Sequence, residues 1–255
     1  MLFEQNQDVR LAVISDVHGN LIAVEAVLAD IKRRGADYIV NLGDCAASPL
    51  WPAETMALLE SLALPTVRGN HDRWVSERSR SELSPAGQFT FDALSAAQRA
   101  ALGALPATLR LAPDVLAVHG TPTDDCSYLL EEVVGGRLVP ADRAMVAQRL
   151  GADASVKVVL CGHSHNQAVR MGPRGCLILN PGSVGCPVFA DNPAAPTFEP
   201  RSPHARYAIL ERRAGRWSAE MFALAYDWDA AAARATANDR PDWAQALTTG
   251  MVGSA

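Results

Sequence analysis

Nearly every histidine of this chain stands beside a carboxylate, an amide or a glycine, directly after a short apolar run. Five of the six histidines fall in such clusters, and imidazole nitrogens with carboxylate or amide oxygens are donors that borderline divalent metals accept in proteins. The clusters are Asp-Val-His-Gly at 16–19, Gly-Asp at 43–44, Gly-Asn-His-Asp at 69–72, His-Gly at 119–120 and Gly-His-Ser-His at 162–165. This pattern predicts metal-ligand chemistry at the ends of strands.

The spacing within the clusters suits ligands that share an ion. Asp16 and His18 are two residues apart, as are His163 and His165, and side chains with that separation can both reach one ion from a strand end or a turn. Asp44 is the one carboxylate whose cluster contains no histidine, which makes it the natural bridge between two cations. Two divalent ions about 3.5–4 Å apart can lower the pKa of a shared water and hold a phosphoryl group for in-line attack.

The clusters need strands that end at a common edge, and the apolar runs before them supply such strands. These runs are too short for helices, which favours buried strands; they span 11–15, 38–42, 66–68, 115–118 and 156–161. Between the first two runs, Asn20 is a suitable N-cap and Gly35 a suitable end for a helix. Repeated strand–helix units indicate a largely parallel sheet, and open α/β sheets bind ligands at the carboxyl ends of their strands.

Composition limits the classes of protein to which the chain can belong. Its 255 residues, 49% of them hydrophobic, can form one large α/β domain, so we treat 1–255 as a single domain. A formal charge of −5 without a basic stripe argues against binding to a nucleic-acid duplex. Five cysteines without Cys-x-x-Cys spacing are typical of a reducing compartment. The stretch at 1–10 is polar, and the chain has no long apolar run. Together with the cysteine pattern, these features indicate a cytoplasmic protein that does not bind membranes.

Three segments are predicted to border the site rather than to form it. Residues 73–110 are arginine-rich at first and then helical in pattern, which predicts a cap-like helical insert near the site. Residues 187–203 contain five prolines and little periodicity, so a loop is expected there. The tail after residue 250 is predicted to be mobile.

The five clusters, in this order and each at a strand exit, resemble the motif blocks of the calcineurin-like metallophosphoesterase superfamily. The resemblance runs from residue 11 to about residue 185. His-Gly-Asn at 18–20 and Asn-Pro-Gly-Ser at 180–183 look most similar to its small bacterial and archaeal phosphodiesterase branch. The resemblance implies an α/β fold, a four-layer α/β/β/α sandwich of two mixed sheets with outer helices, and a site at the strand ends.

The resemblance also implies a role for each residue of the clusters. One ion would be held by Asp16, His18, Asp44 and His165, and a second ion would share Asp44 and add Asn70, His119 and His163. The identity of these two divalent ions stays open among Mn, Fe, Zn, Ni and Mg, since all accept mixed nitrogen and oxygen ligands. His71 takes the position of the general acid that protonates the leaving oxygen, a role that typically adds about 10²–10⁴-fold to the rate. Asn70, His71 and Arg73 are the predicted contacts to the substrate phosphate.

The implied activity is hydrolysis of a small phosphorylated substrate, a phosphodiester first of all, with a metal-bridging hydroxide as the nucleophile. A phosphomonoesterase or nucleoside-polyphosphate hydrolase with the same metals is the first alternative, and a non-catalytic metal-binding scaffold is the second. The protein serine/threonine phosphatases of the superfamily carry Asp-Arg-Gly soon after the bridging aspartate, whereas the stretch at 45–49 has neither group. That difference argues against protein phosphatase activity and leaves the acid partner of His71 unidentified. The oligomeric state also stays open.

Overall fold

Eleven strands and eight α-helices make up the part of the chain that the computed structural model describes, which is residues 1–153, 155–188 and 198–252. The strands are β1 (Val9–Ile14), β2 (Tyr38–Asn41), β3 (Thr108–Ala112), β4 (Val115–Val118), β5 (Glu131–Val134), β6 (Arg137–Pro140), β7 (Val158–Leu160), β8 (Ala168–Met171), β9 (Leu177–Asn180), β10 (Ala205–Arg213) and β11 (Arg216–Leu224). The helices are α1 (Leu21–Arg34), α2 (Pro52–Leu62), α3 (Asn70–Glu77), α4 (Pro85–Ala93), α5 (Ala96–Ala104), α6 (Arg143–Leu150), α7 (Trp228–Ala237) and α8 (Pro241–Thr249).

The strands form two large mixed sheets and one hairpin. The first sheet has the order β11-β10-β1-β2, and the second has the order β3-β4-β7-β9-β8. In the first sheet β1 is parallel to β2 and antiparallel to β10. In the second, β4, β7 and β9 are parallel, and the edge strands β3 and β8 are antiparallel to their neighbours. The hairpin pairs β5 with β6.

Apolar side chains on both faces of β1 explain why the two sheets stack between layers of helices. Leu11 and Val13 point into a cluster shared with β7 and β10, whereas Ile14 packs on the opposite face with Val24 of α1. On the far side of the second sheet, Val159 lies in a cluster that includes side chains of α6. Because side chains alternate between the faces of a strand, one short run can serve both layers. The predicted four-layer α/β/β/α sandwich is confirmed.

Local signals placed the first helix where the sequence predicted it. The Asn20 side chain accepts the backbone N–H of Ala23, and Gly35 ends the helix with a φ of 74°. The expectation of a largely parallel sheet is wrong, because β10 and β11, from the C-terminal part of the chain, extend the first sheet in antiparallel fashion beside β1. The strand predicted at 66–68 is reduced to a single bridge between Thr66 and Asn41.

The segment predicted to be a helical insert contains α4, α5 and most of α3. Val75, Leu94 and Leu102 belong to the hydrophobic cluster that also contains α1, so these helices extend the outer layer of the first sheet. A cap-like role for 73–110, and the organisation of 1–255 as one domain, stay predictions. The predicted proline-rich loop at 187–203 falls mainly on 189–197, outside the described residues, as do residues 253–255 of the predicted tail.

Asp30 is a buried carboxylate that ties α1 to β10. Arg33 and Arg34 donate hydrogen bonds to it from the same helix, and the Tyr207 hydroxyl donates from β10. Burial acts to raise the pKa of Asp30, but hydrogen bonds from Arg34 and Tyr207 outweigh burial and hold the pKa below its usual value. The ionised form of Asp30 therefore stabilises the folded state.

Asp30→Asn is expected to lower the free energy of unfolding by about 1–3 kcal/mol at about pH 6, since the arginines and the tyrosine lose a charged acceptor. The folded-state pKa lies below the unfolded value of about 3.9. The stabilisation is therefore complete above that value and is lost as the pH falls through the folded-state pKa. Denaturant unfolding of both proteins between about pH 6 and about pH 2.5 tests this; a constant difference over that range would contradict it.

Candidate metal centre

The sandwich brings the carboxyl ends of strands from both sheets to one edge of the molecule. Asp16 lies just beyond β1 and Asp44 just beyond β2, which are parallel neighbours in the first sheet. His119 directly follows β4, and the loop with His163 follows β7, its parallel neighbour in the second sheet. Asn70 is the first residue of α3. The clusters of the sequence therefore meet where the two sheets face each other.

Asp16, His18 and His165 form the first half of this centre. The Nε2 atoms of His18 and His165 lie 3.2 Å apart, and Nε2 of His165 lies 3.3 Å from Oδ1 of Asp16. All three side chains are buried. Their potential ligand atoms lie within 4.8 Å of one another, as do those of a second group made of Asp16, Asp44 and His119. Asp16 thus belongs to both groups.

Asp44 joins the first half of the centre to the second. Its Oδ2 lies 3.8 Å from Nε2 of His18 and 3.4 Å from Nε2 of His119. On the far side, Nε2 of His119 lies 3.0 Å from Oδ1 of Asn70, and the rings of His119 and His163 are 5.2 Å apart between centroids. All seven side chains that the sequence singled out as ligands are therefore linked by a continuous set of short contacts, with Asp44 in the middle.

Backbone carbonyls turn three of the histidine rings toward the centre. Because a carbonyl can only accept, Nδ1 of each ring carries a proton and Nε2 is directed inward, an arrangement typical of metal-binding histidines. The Nδ1–oxygen distances are 2.9 Å from His18 to Ala47, 2.7 Å from His119 to Leu42 and 2.6 Å from His165 to Cys186. Sequence reasoning missed these contacts, since a carbonyl acceptor leaves no side-chain signal.

His163 is held in the opposite way. Its Nε2 donates to the carbonyl of Cys126 at 3.0 Å, so Nδ1 is the nitrogen that remains for a metal ion. The ring of Tyr128 stacks on it, with 4.7 Å between centroids. Burial, reinforced by the nearby His119, lowers the pKa of His163 to about 4. A neutral ring of this kind can bind a cation without first losing a proton.

The backbone is strained at five of the predicted ligands. Each adopts a positive φ, which non-glycine residues rarely do and which costs about 1–3 kcal/mol per residue. The φ values are 53° at Asp16, 44° at His18, 56° at Asp44, 67° at His163 and 57° at His165. Strain concentrated in this way indicates that these side chains are placed for function at the expense of local stability.

Asp72 holds the loop that carries Asp44. Its carboxylate accepts the backbone N–H groups of Asp44 and Cys45, both at 2.9 Å, and that of Gly69 at 3.0 Å. The contact to Gly69 caps α3, and the other two fix the turn after β2. Burial, together with the nearby charge of Asp44, raises the pKa of Asp72 to about 7.

Two further supports come from the C-terminal half of the chain. Ser183 donates its hydroxyl to the carbonyl of Asp16 at 2.8 Å, so the loop after β9 supports the centre. On α8, the buried Trp243 faces His18 with 6.4 Å between ring centroids. Sequence reasoning missed Trp243, because the tryptophans of this chain show no spacing that links them to the histidine clusters.

Carboxylates and imidazoles at the centre stabilise each other's charges. Burial acts to lower the pKa of His119, but the adjacent Asp44 carboxylate more than offsets burial and raises it to about 10. Burial likewise opposes ionisation of Asp16, yet the proximity of His165 lowers its pKa to about 2. Metal ions bind imidazole only after it has lost its extra proton, so metal binding must release the proton that His119 carries at neutral pH. Metal affinity is therefore expected to fall as the pH decreases.

His71 and Arg73 lie on the first turns of α3, beside the centre. The backbone N–H of His71 donates to Oδ1 of Asp44 at 2.9 Å, and its ring lies 5.4 Å from the His18 ring between centroids. Arg73 is engaged elsewhere, since Nε and Nη2 each donate to the Asp125 carboxylate at 2.7 Å. Contact between Arg73 and a substrate phosphate stays a prediction.

The donor set fits divalent cations. Oδ1 of Asp16 is buried and makes no hydrogen bond to any described residue, although a buried carboxylate oxygen normally has a partner. Oδ2 of Asp44 faces imidazole nitrogens on two sides. Mixed carboxylate, amide and imidazole donors suit borderline divalent metals, and a cation could bind Oδ1 of Asp16, which also lies 3.3 Å from Nε2 of His165.

Gly69→Ala is expected to displace Asp44. An added Cβ would lie 2.1 Å from Oδ1 and 2.4 Å from the backbone nitrogen of Asp44, and overpacking of this kind costs about 1–3 kcal/mol. We expect lower stability together with reduced metal content, measured by denaturant unfolding and elemental analysis. In the control Gly35→Ala the Cβ meets nothing within 4 Å, so metal content should be unchanged. Equal metal loss in both variants would contradict the expectation.

Two stacked mixed sheets with histidines and carboxylates at their strand ends define the class of metallophosphoesterases. The family model of the calcineurin-like phosphoesterase superfamily domain matches residues 9–202, and the chain belongs to this superfamily. The prediction made from the order of the motifs is therefore confirmed. The superfamily comprises metal-dependent phosphoesterases, so the chain belongs to a family of phosphoester hydrolases.

Known proteins similar to this chain include bacterial and archaeal ones. A metallophosphoesterase from Sphaerobacter thermophilus is 26% identical, with a TM-score of 0.73, and the match covers 96% of this chain and 100% of that one. A hypothetical protein from Pyrococcus horikoshii OT3 shares the fold with the same TM-score and coverage at 17% identity. An uncharacterized protein from Methanocaldococcus jannaschii is 48% identical over 62 residues, which are 24% of this chain and 26% of that protein.

None of the helices in the described part of the chain is both long and apolar enough to cross a membrane.

Proposed function

We propose that this chain is a phosphodiesterase that uses two divalent metal ions. The observation that carries the proposal is the position of Asp44, whose Oδ2 lies within 3.8 Å of imidazole nitrogens on two sides. In this proposal Asp44 is a ligand shared by both ions. The first ion would also be held by Asp16, His18 and His165, and the second would also be held by Asn70, His119 and His163.

Each nearby side chain has a defined task in the proposed reaction. Two divalent cations on these ligands would lower the pKa of a water and neutralise phosphate oxygens. The Asn70 amide orients the phosphate, and His71 donates a proton to the leaving oxygen as water attacks phosphorus and the bond to that oxygen breaks. The backbone N–H of His71 donates to Asp44, which holds the backbone of this residue beside the shared carboxylate.

The state of Arg73 supports a diester rather than a monoester as the substrate. A monoester phosphate near neutral pH carries about one more negative charge than a diester, and binding that charge calls for an additional cation. Arg73 would be such a cation, but the carboxylate of Asp125 already accepts from two of its nitrogens. The single charge of a diester needs no such partner. A small phosphorylated substrate and a cytoplasmic location complete the proposal.

A comparison of chromogenic substrates tests this proposal. Protein reconstituted with Mn, Fe, Zn, Ni or Mg would be assayed with bis-p-nitrophenyl phosphate, p-nitrophenyl phosphate and a nucleotide panel. We expect the highest kcat/KM with the diester and loss of turnover after chelation. A preference for the monoester or for nucleoside polyphosphates would replace the diester assignment, and no turnover with any metal would indicate a non-catalytic metal-binding scaffold.

A further inference from the structure

An arginine–aspartate pair connects α3 to the loop between β4 and β5. Nε of Arg73 donates to one oxygen of Asp125 and Nη2 to the other, both at 2.7 Å. The third nitrogen, Nη1, lies 3.8 Å from Oε2 of Glu77. Of the two edges by which an arginine can hold a pair of phosphate oxygens, the one formed by Nε and Nη2 is thus occupied by a carboxylate of the protein itself.

Both members of the pair are close in sequence to residues of the candidate metal centre. Arg73 is two residues beyond His71 and three beyond Asn70 on the same helix. Asp125 directly precedes Cys126, whose carbonyl accepts from His163. Nη2 of Arg73 also lies 3.5 Å from Sγ of Cys126. The guanidinium therefore spans from the helix that carries the acid to the loop that holds a ligand of the second ion.

The pair of Arg73 and Asp125 is partly buried, so solvent does not fully screen the two charges. The side chain of Arg73 is 26% exposed and that of Asp125 is 14% exposed. The hydrogen bond from Arg73 keeps the pKa of Asp125 below its usual value despite the burial that opposes ionisation. Asp125 is therefore ionised at neutral pH, and the local sum of the two charges is zero.

We propose that Asp125 is a specificity-determining residue that disfavours dianionic phosphate by neutralising Arg73. The proposal rests on the function proposed above and names the reason for a diester preference. A dianionic monoester would gain from a free arginine fork, whereas Asp125 competes with it for that fork. A monoanionic diester gains less from the same cation, so the competition costs it less. Removing the negative charge of Asp125 should therefore favour the dianion.

Binding of two small anions to the metal-loaded protein provides the test. Inorganic phosphate at about pH 8, where it is mostly a dianion, and dimethyl phosphate, a monoanion, would be titrated by calorimetry into the wild type and three variants. Asp125→Asn removes the charge and keeps the size of the side chain. The double variant Arg73→Gln/Asp125→Asn also removes the arginine. Asp92→Asn is the matched control, since Asp92 accepts both Nε and Nη2 of Arg80 in an exposed pair.

We expect Asp125→Asn to bind inorganic phosphate about tenfold more tightly, with little change for dimethyl phosphate, as a charge-assisted hydrogen bond would give. The gain should vanish in the double variant and be absent in Asp92→Asn. The ratio of monoester to diester kcat/KM should rise by a similar factor. Unchanged phosphate affinity in Asp125→Asn, or a gain that persists without Arg73, would overturn the proposal.

Two other outcomes have separate meanings. If the pair only holds the loop in place, both single and double variants should lose metal and bind both anions more weakly, which would also overturn the specificity role. If the wild type hydrolyses neither chromogenic substrate, the proposed function fails, but the difference in phosphate affinity between wild type and Asp125→Asn still decides whether Asp125 controls access to Arg73.

Discussion

Asp44→Asn is expected to leave a folded protein that binds neither metal ion firmly and has lost at least about 10³-fold of its activity, equivalent to about 4 kcal/mol of barrier. The substitution keeps an acceptor for the backbone N–H of His71, which now bonds to Oδ1 of Asp44. It replaces Oδ2, which faces the nitrogens of His18 and His119, with an amide nitrogen that cannot bind a metal. One substitution therefore acts on both proposed ions.

Metal content by elemental analysis and kcat/KM for the diester would be measured on the same preparations. The control Asp92→Asn also removes the charge of an aspartate, but Asp92 forms an exposed pair with Arg80 and is not a proposed ligand. The control should keep both ions and full activity. An Asp44→Asn protein that retains two ions per chain would show that Asp44 is not the shared ligand.

His71→Ala is expected to lower kcat by about 10²–10⁴-fold while metal content stays unchanged, the range typical of a positioned general acid. The backbone N–H of His71 donates to Asp44, and alanine preserves that N–H. The imidazole ring instead packs edge-on against Trp74, with 4.8 Å between centroids. Loss of the ring therefore removes a proton donor without removing a proposed metal ligand.

The leaving group separates an acid role from a structural one. A nitrophenolate leaves readily without a proton, whereas an alkoxide needs one, so the loss in His71→Ala should be much larger for an alkyl ester than for a nitrophenyl ester. His71→Gln, which keeps polarity without acid strength, should resemble His71→Ala. An equal loss for both leaving groups would remove the general-acid role.

Much of the candidate centre was predictable because most of its proposed ligands lie shortly after apolar strands. Asp16 and Asp44 come after β1 and β2, and parallel strands place such residues at the same edge. The order of the five clusters then indicated the superfamily, and with it the four layers. The local signals of α1, the Asn20 cap and the Gly35 end, were equally clear because they depend on residues only a few positions away.

The unpredicted features depend on contacts between distant residues. Arg73 and Asp125 are 52 residues apart in sequence, and no local pattern shows that such a pair forms. The antiparallel position of β10 beside β1 pairs strands that are about 200 residues apart in sequence, which a series of strand–helix units does not reveal. Trp243 and His18 are likewise distant in sequence, so their contact has no local signal. Carbonyl acceptors such as that of Ala47 are invisible in any reading of side chains.

Anomalous diffraction from crystals of the manganese-reconstituted protein is the most direct test of the shared carboxylate. We expect two manganese peaks about 3.5–4 Å apart, both within bonding distance of Asp44, with Asp16 on one side and His119 on the other. A single peak, or two peaks of which one does not contact Asp44, would contradict the proposal that two cations share this residue.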